Sequence, residues 1–306
     1  MTQFGYRTLG FGSGGGAALY NVDMLVVAGG GSGGCNFGGG GGAGGLIYKT
    51  SHELTGGQQY DVVIGGGAAA NSTADTGGNR GVDTTWTING GATEFTAKGG
   101  GAGAVQYNEG EASGGGGSGG GAGRESPYGT GYPETQTGES GDSGTYGFGN
   151  AGGDGSGGAP YYTSGGGGGA GGAGGNGGDP AGIGGVGKDY SAVFATEGDS
   201  GWFASGGGAG WTMYNSGTAA GTASAGGGTG GGASSAANSD AGAANTGGGS
   251  GGGAAGDGDS GTGGSGVICF KVLTANYSGT TTGAPATRED GDYTLVKFTG
   301  DGSYTA

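Results

Sequence analysis

The chain has 306 residues, of which 100 are glycine and only 5 are proline, and its formal net charge is −15. A collagen triple helix is excluded, because collagen needs a strict Gly-X-Y period with abundant proline and glycine here comes in irregular runs. The acidic balance argues against nucleic-acid binding, which requires clustered lysine and arginine against the phosphates. Apolar runs are too short for a transmembrane helix, and the first residues lack the apolar core of a secretory signal. We therefore expect neither nucleic-acid binding nor membrane insertion.

The first question is whether the glycine tracts are ordered. Low hydrophobicity with high net charge is typical of disordered chains, and glycine loses the most conformational entropy on folding. The tracts are therefore either flexible linkers or ordered by something other than apolar burial. Order is favoured by the 15 Tyr, 9 Phe and 3 Trp, by clustering of the apolar residues, and by recurring modules. GGGGGAGG, for example, occurs identically at 38–45 and 165–172.

Packed polyglycine-II helices are the ordered form that such tracts can adopt. A helix of this type has three residues per turn and no internal hydrogen bonds, so every N–H and C=O points sideways. Backbones bond to one another at this distance only where no Cβ intervenes, so the interior positions must be glycine. Each bond contributes only about 0.5–1.5 kcal/mol, so many short helices must cooperate. We expect a slab of such helices joined by surface loops, with almost no α-helix.

The apolar clusters near the two ends of the chain predict β-strands. Asn89-Gly90-Gly91 and Gly300-Asp301-Gly302 each predict a hairpin turn. The expected fold class is mainly β and irregular, with packed polyglycine-II helices clamped by a small antiparallel β-sandwich. The predicted strands are 21–28, 59–64, 84–88, 93–96, 267–273, 293–299 and 303–305.

Four parts follow from this pattern. They are an N-terminal attachment segment at 1–20, a strand-rich part at 21–98, a polyglycine-II core with surface loops at 99–266, and C-terminal strands with a hairpin at 267–306. Cys35 and Cys269 are the only cysteines, and without an export signal we expect free thiols.

Apparent chemical motifs are explained by composition. Gly29-x-Gly31-x-x-Gly34 matches the dinucleotide fingerprint, but poly-glycine matches it by chance and no helix can begin after it. GDSG occurs three times, yet the only histidine, His52, is expected in a solvated loop, so a serine triad has no general base. We predict no enzyme, no catalytic residue, no cofactor and no metal centre, while calcium bridging between loop aspartates near 174–179 stays open.

Four β-rich segments carry a family resemblance. The combination of VDMLVVAGGGSGG, GGGGGAGGLIY, QQYDVVIGGG and GGSGVICFKV resembles the glycine-rich module of tailed-phage virion proteins, notably tail-fibre and tip proteins. The closing YTLVKFTGDGSYTA resembles the strand pair that precedes the first of these segments in that family. Here it lies at the C-terminus, so it either folds back beside the first strand of its own chain or completes the sheet of the next subunit. We favour fold-back, because long connections cost little extra closure entropy.

The resemblance implies a function. It implies a virion structural protein, a tail-fibre or tip adhesin of the polyglycine-II sandwich type, assembled in the host cytoplasm and then extracellular. Its partners would be other virion proteins, copies of itself, and a host surface glycan or protein. The alternative is a self-assembling filament or capsid decoration protein whose C-terminal hairpin or loops contact neighbouring copies.

Aromatic residues between glycine runs are the candidate contact residues. Aromatic faces beside Asn and Asp suit recognition of sugars or protein surfaces, because they offer a large contact area at little entropic cost. The competing interpretation is that these side chains merely cover the rims of the slab. The candidates are Tyr128, Tyr132, Tyr161, Tyr162, Trp202, Trp211 and Tyr214.

Overall fold

The computed structural model describes residues 17–106, 114–124, 129–136, 147–158, 161–212, 219–228 and 237–306. The expected class is confirmed. Within these residues, helix is limited to α1 (Ser191–Phe194), α2 (Glu197–Ser200) and one 3-10 turn (Thr274–Asn276). None of these helices is long and apolar enough to cross a bilayer.

Two antiparallel sheets form a sandwich at one end of the protein. The strands are β1 (Leu19–Val27), β2 (Leu46–Thr55), β3 (Gln59–Val63), β4 (Thr84–Ile88), β5 (Thr93–Ala97), β6 (Gly147–Phe148), β7 (Lys188–Asp189), β8 (Trp202–Phe203), β9 (Val267–Leu273), β10 (Thr280–Thr282), β11 (Ala286–Asp290), β12 (Tyr293–Phe298) and β13 (Gly302–Thr305). The first sheet has the order β11-β12-β9-β1-β2-β6 and the second has the order β10-β13-β3-β4-β5, while β7 and β8 form a separate pair.

The central strands of the first sheet are buried on both faces. Met24 and Val26 of β1 pack between the two sheets, while Leu25 and Val27 point to the opposite face. That second face is covered by the segment containing α1 and β8, through Phe194 among others. Burial on both sides explains why the centre of β1 reads as a continuous apolar run instead of an alternating one.

The Asn89-Gly90-Gly91 turn joins β4 and β5 as a hairpin, as predicted. The second predicted hairpin is wrong. β12 pairs with β9 and β11, whereas β13 pairs with β3 and β10 in the other sheet. Both edges of β12 are already occupied, so the chain crosses through Gly300–Gly302 to the second sheet. The C-terminal strands do fold back onto their own chain, but β9 lies between β12 and β1.

The prediction that His52 lies in a solvated loop is also wrong. His52 belongs to β2 and is only 6% exposed. Its orientation is set by a β-bulge, because Val22 pairs with His52 whereas Met24 pairs with Lys49, which leaves one extra residue on β2. One extra residue exchanges the two faces of a strand, so the side chain of His52 turns toward the interior.

Glycine segments between the strands form a bundle of extended runs bonded sideways. The run 38–45 shows the pattern, because its amides donate in rotation to three neighbouring runs and every third residue reaches the same neighbour. Three residues is the period of a polyglycine-II helix. The donor and acceptor pairs, at 2.7–3.1 Å, are Gly39 with Ala104, Gly42 with Gly101 and Gly45 with Lys98; Gly40 with Gly165 and Ala43 with Gly168; Gly41 with Ser250 and Gly44 with Gly247.

Carbonyls of the same run accept from three further runs, 28–34, 117–123 and 204–210. The run 38–45 therefore has six hydrogen-bonded neighbours, as in a hexagonal lattice. The runs 28–34 and 163–169 are surrounded in the same way. Pairing is antiparallel with 98–104 and parallel with 163–169, so chain direction does not restrict which runs become neighbours.

Close packing of main chains explains the glycine requirement inside the bundle. A Cβ on Gly40 would lie 2.6 Å from the carbonyl carbon of Gly207 and closer still to its oxygen. At some positions a polar side chain replaces a main-chain group in the hydrogen-bonding pattern of the bundle. The hydroxyl of Ser250, for example, accepts from the N–H of Gly33 at 2.9 Å and donates to the carbonyl of Gly261 at 2.7 Å.

Candidate functional site

The bundle has two ends. Strands β1 and β2 mark the sheet end, and the turn at 35–37, which joins the runs 28–34 and 38–45, marks the opposite end, called here the distal end. Asn36 and Phe37 adopt left-handed conformations, with φ of 48° and 59°, which reverses the chain. The Asn36 amide donates to Asp75 Oδ1 at 2.8 Å and accepts from the N–H of Gly256 at 3.1 Å. One side chain thus ties three distal turns together.

A buried cation lies beneath this end. Arg124 is only 5% exposed, and its guanidinium carbon lies 4.1 Å from the ring centroid of Phe37 and 6.0 Å from that of Tyr162. Attraction between a cation and an aromatic face is strongest where water is excluded. Ser164 adds a hydrogen bond to the carbonyl of Phe37 at 2.6 Å. The distal end is therefore fixed by side chains as well as by the lattice.

The segment around Tyr161 is held by its neighbours while its side chain is exposed. Asp154 Oδ1 accepts from the N–H of Gly131 at 2.8 Å, and the N–H of Asp154 donates to Asn176 Oδ1 at 2.9 Å. The N–H of Tyr161 donates to the carbonyl of Gly158 at 3.1 Å. Tyr161 itself is 37% exposed. This arrangement presents a phenol to solvent from a fixed base.

The structure separates the predicted contact residues into different places. Tyr161, Tyr162 and Trp211 lie at the distal end; Trp211 follows Gly210, whose N–H donates to the carbonyl of Gly38. The other described candidates lie elsewhere. Tyr128 and Tyr214 fall outside the residues that the structure describes.

Two candidates lie away from the distal end. Tyr132 sits midway along its run, where its N–H donates to the carbonyl of Gly120 and its ring occupies the space that a side chain on Gly114 would need. Covering the rim is the better interpretation for this residue. Trp202 belongs to β8 at the sheet end, so it shares no surface with Tyr161.

The residues of the motifs that suggested other chemistry are hydrogen-bonded within the bundle. The N–H groups of Gly29, Gly31 and Gly34 donate to carbonyls of neighbouring runs, so they cannot cradle a phosphate. In one GDSG copy, the hydroxyl of Ser260 is buried and accepts from the N–H of Asn71 at 2.9 Å. Among the described residues, no three His, Cys, Asp or Glu side chains are close enough together to hold a metal ion.

Two free thiols are buried in different surroundings. Cys269 of β9 lies beside the segment that covers the first sheet, and burial raises the pKa of its thiol. Cys35 lies at the distal turn, where its Sγ donates to the carbonyl of Asn71, and burial raises its pKa as well. On the same face as Cys269, burial raises the pKa of Tyr48 to about 12.

Sequence reasoning missed Asn36, Phe37 and Arg124 at the distal end. A signal for the first two is visible, since Cys35-Asn36-Phe37 is the short break between two long glycine runs.

Comparison with known families agrees with this architecture. Residues 13–273 match the model of a family described as a glycine-rich domain. The chain belongs to this glycine-rich domain family. The match ends with the last residue of β9, so β10 to β13 lie outside it. Neither the curated proteins nor the solved structures contain a match to the chain.

Proposed function

We propose that this glycine-rich domain protein is a tail-fibre or tip adhesin of a tailed-phage virion, and that its distal end attaches to a host-surface glycan or protein. The observation that carries the proposal is the exposed Tyr161 on a turn held by the hydrogen-bonded bundle, at the end opposite the sandwich. Other virion proteins would hold the sheet end, where the predicted attachment segment 1–20 leads into β1.

Rigidity supports this proposal in energetic terms. Binding costs free energy for every loop and side chain that must be ordered, and a pre-organised surface reduces that cost. The lattice requires glycine only within the runs, so the turns that join them tolerate changes of sequence. Such a scaffold suits recognition of surfaces that differ between hosts.

The alternative is a self-assembling filament or capsid decoration protein that uses its C-terminal strands or its loops for subunit contacts. β12 pairs on one side with β9 and on the other with β11, and β13 pairs with β3 and β10. Neither strand has an open edge for a second copy. The observation argues against pairing of a second copy with β12 or β13, whereas β10 and β11 lie at the edges of the two sheets.

A matched pair of tyrosines tests the proposal. Tyr161 at the distal end is 37% exposed and Tyr293 at the sheet end is 41% exposed. Bacterial cells that bind the wild-type protein would be chosen from a panel, and binding of purified Tyr161→Ala and Tyr293→Ala measured. We expect Tyr161→Ala to weaken binding about fivefold or more, as for a contact residue worth over 1 kcal/mol.

Equal melting temperatures of the two variants would show that folding is unaffected. Full binding by Tyr161→Ala, or loss of binding by Tyr293→Ala alone, would overturn the distal assignment. A wild-type protein that binds no cells in the panel would count against the adhesin itself.

A further inference from the structure

One side of the bundle is formed by three glycine-rich runs without charge. The run 181–187 has four hydrogen-bonded neighbours among the described residues: 163–169 and 204–210 inside the bundle, and 171–178 and 219–228 on its two flanks. The two remaining positions of the hexagon around it face solvent, so the three outer runs lie in a row. None of the three contains an ionisable residue, although the chain has 24 aspartates and glutamates. This surface is called here the uncharged side.

Every third residue of the middle run points away from the bundle. Three residues make one turn of the helix, so Ile183 and Val186 lie on one line along the run. Their side chains are 48% and 39% exposed, whereas the two residues between them are buried. Exposed aliphatic side chains placed side by side favour contact with another apolar surface.

The flanking runs give the uncharged side a ridge beside a furrow. The ridge consists of Ile183 and Val186. A Cβ on Gly175 would lie only 2.8 Å from Ile183 Cγ1, so the ridge leans over the glycines of the run 171–178. On the other flank the outward residues are exposed but short, which leaves a furrow beside the ridge. The furrow residues are Ala219, Thr222 and Ala225.

A ridge and a furrow that lie side by side are self-complementary. A two-fold axis between them would seat the ridge of each copy in the furrow of the other, as in an isologous interface. The charge distribution also favours a second copy as the occupant. Two chains with a net charge of −15 repel each other, and the uncharged side lets them approach without facing carboxylates.

We propose that the uncharged side is a contact through which two copies of this chain pack side by side. A run of eight residues is about 25 Å long, so a face three runs wide belongs to the smaller interfaces, which bury less than about 1,200 Å² in total. Such a contact is weak in dilute solution and becomes significant when copies are attached to one assembly, where their local concentration is roughly millimolar.

The symmetry of the contact limits the assembly. An isologous contact closes after two copies, so it forms pairs and not a filament. The inference is independent of the adhesin proposal, because it concerns a side of the bundle and not its distal end.

Sedimentation equilibrium of the purified full chain tests the contact. Over concentrations up to about 1 mM, the range that linked copies experience, we expect the average mass to rise toward that of a dimer. Ile183→Glu places a charge on the ridge and should weaken dimerisation at least tenfold, and Thr222→Glu should do the same from the furrow. Val82→Glu is the control, since Val82 is 56% exposed on a run that contacts 28–34 and 98–104, and it should leave dimerisation unchanged.

A mixture of two variants tests whether the ridge lies in the furrow. Ile183→Lys and Thr222→Glu chains should pair with each other more tightly than either pairs with itself, because the two introduced charges are opposite. Equal melting temperatures would show that folding is unaffected. A wild-type protein with the mass of one chain at every concentration, or unchanged dimerisation of both Ile183→Glu and Thr222→Glu, would overturn the proposal.

Discussion

A side chain on Gly40 would overlap the carbonyl group of Gly207, although the two residues lie far apart in the chain. The same close approach recurs throughout the bundle, because the main chains of neighbouring runs are hydrogen-bonded at about 2.9 Å. The stability of the bundle therefore depends on missing side chains, the opposite of an apolar core.

The first prediction concerns Gly40→Ala. The new methyl group meets main-chain atoms, which cannot rotate away, so we expect a loss of about 3 kcal/mol in the free energy of unfolding, or failure to fold. Gly66→Ala is the control, since a Cβ there has open space and no unusual backbone conformation. Urea denaturation of both variants measures the difference. Equal stability would contradict the lattice.

A second prediction concerns amide exchange. N–H groups in the runs 28–34, 38–45 and 163–169 donate to neighbouring carbonyls and should exchange as slowly as those of β1. The exposed residues Ala69 and Ala70, which lie outside the strands, provide the fast reference. Hydrogen–deuterium exchange with mass spectrometry would measure both. Fast exchange throughout the three runs would show that poly-glycine is not ordered in this way.

The third prediction tests the C-terminal strand. Tyr304 of β13 is fully buried; its ring centroid lies 5.0 Å from that of Phe270, and its hydroxyl bonds to the Tyr20 hydroxyl at 2.9 Å. Tyr304→Ala should cost about 3–5 kcal/mol through the cavity it leaves. Tyr304→Phe removes only the hydrogen bond and should cost about 1 kcal/mol. The denaturation midpoints of the two variants would check both values. An unchanged midpoint for Tyr304→Ala would show that β13 does not belong to the core.

The fourth prediction concerns alkaline pH. Burial raises the pKa of Cys269, and it raises the pKa of Tyr48 to about 12, whereas in the unfolded chain these groups ionise near 9 and 10. The unfolded state therefore loses its protons first as pH rises. The contribution of these two groups to the free energy of unfolding should be constant below about pH 9 and be lost progressively toward pH 12. Denaturation at a series of pH values measures this slope.

Thiol labelling checks the same burial directly. Native Cys269 should resist alkylation at mildly alkaline pH, because its thiolate is suppressed and its side chain is inaccessible. Denatured protein should react at both cysteines. Rapid labelling of native Cys269 would contradict the covered face of the first sheet.

The local spacing of apolar residues was enough to predict the strands whose side chains are buried. β3, β4, β5 and β9 were predicted within a residue or two, because their apolar residues either alternate or form short buried runs. β10 and β11 were missed because their side chains are mostly exposed, which leaves no apolar period. β2 was missed because TSHELT is polar and its bulge breaks the alternation.

The candidate surface was predicted less well than the fold. The sequence offered the same two interpretations, surface contact or rim cover, for Tyr161 and for Trp202, yet these residues lie at opposite ends of the bundle. Tyr161 follows a glycine-rich stretch, whereas Trp202 follows the segment 188–201, which has only two glycines, but this local difference does not specify the end of the bundle at which each residue lies.

Composition alone determined that any ordered form of the glycine runs must be built on main-chain hydrogen bonds, because runs without side chains can be ordered only by their backbones. It could not specify which runs become neighbours, since one glycine run presents the same donors and acceptors as another. That choice depends on where the strands anchor each run at the sheet end. The same long-range constraint sends β13 into the second sheet and turns His52 inward against Glu94.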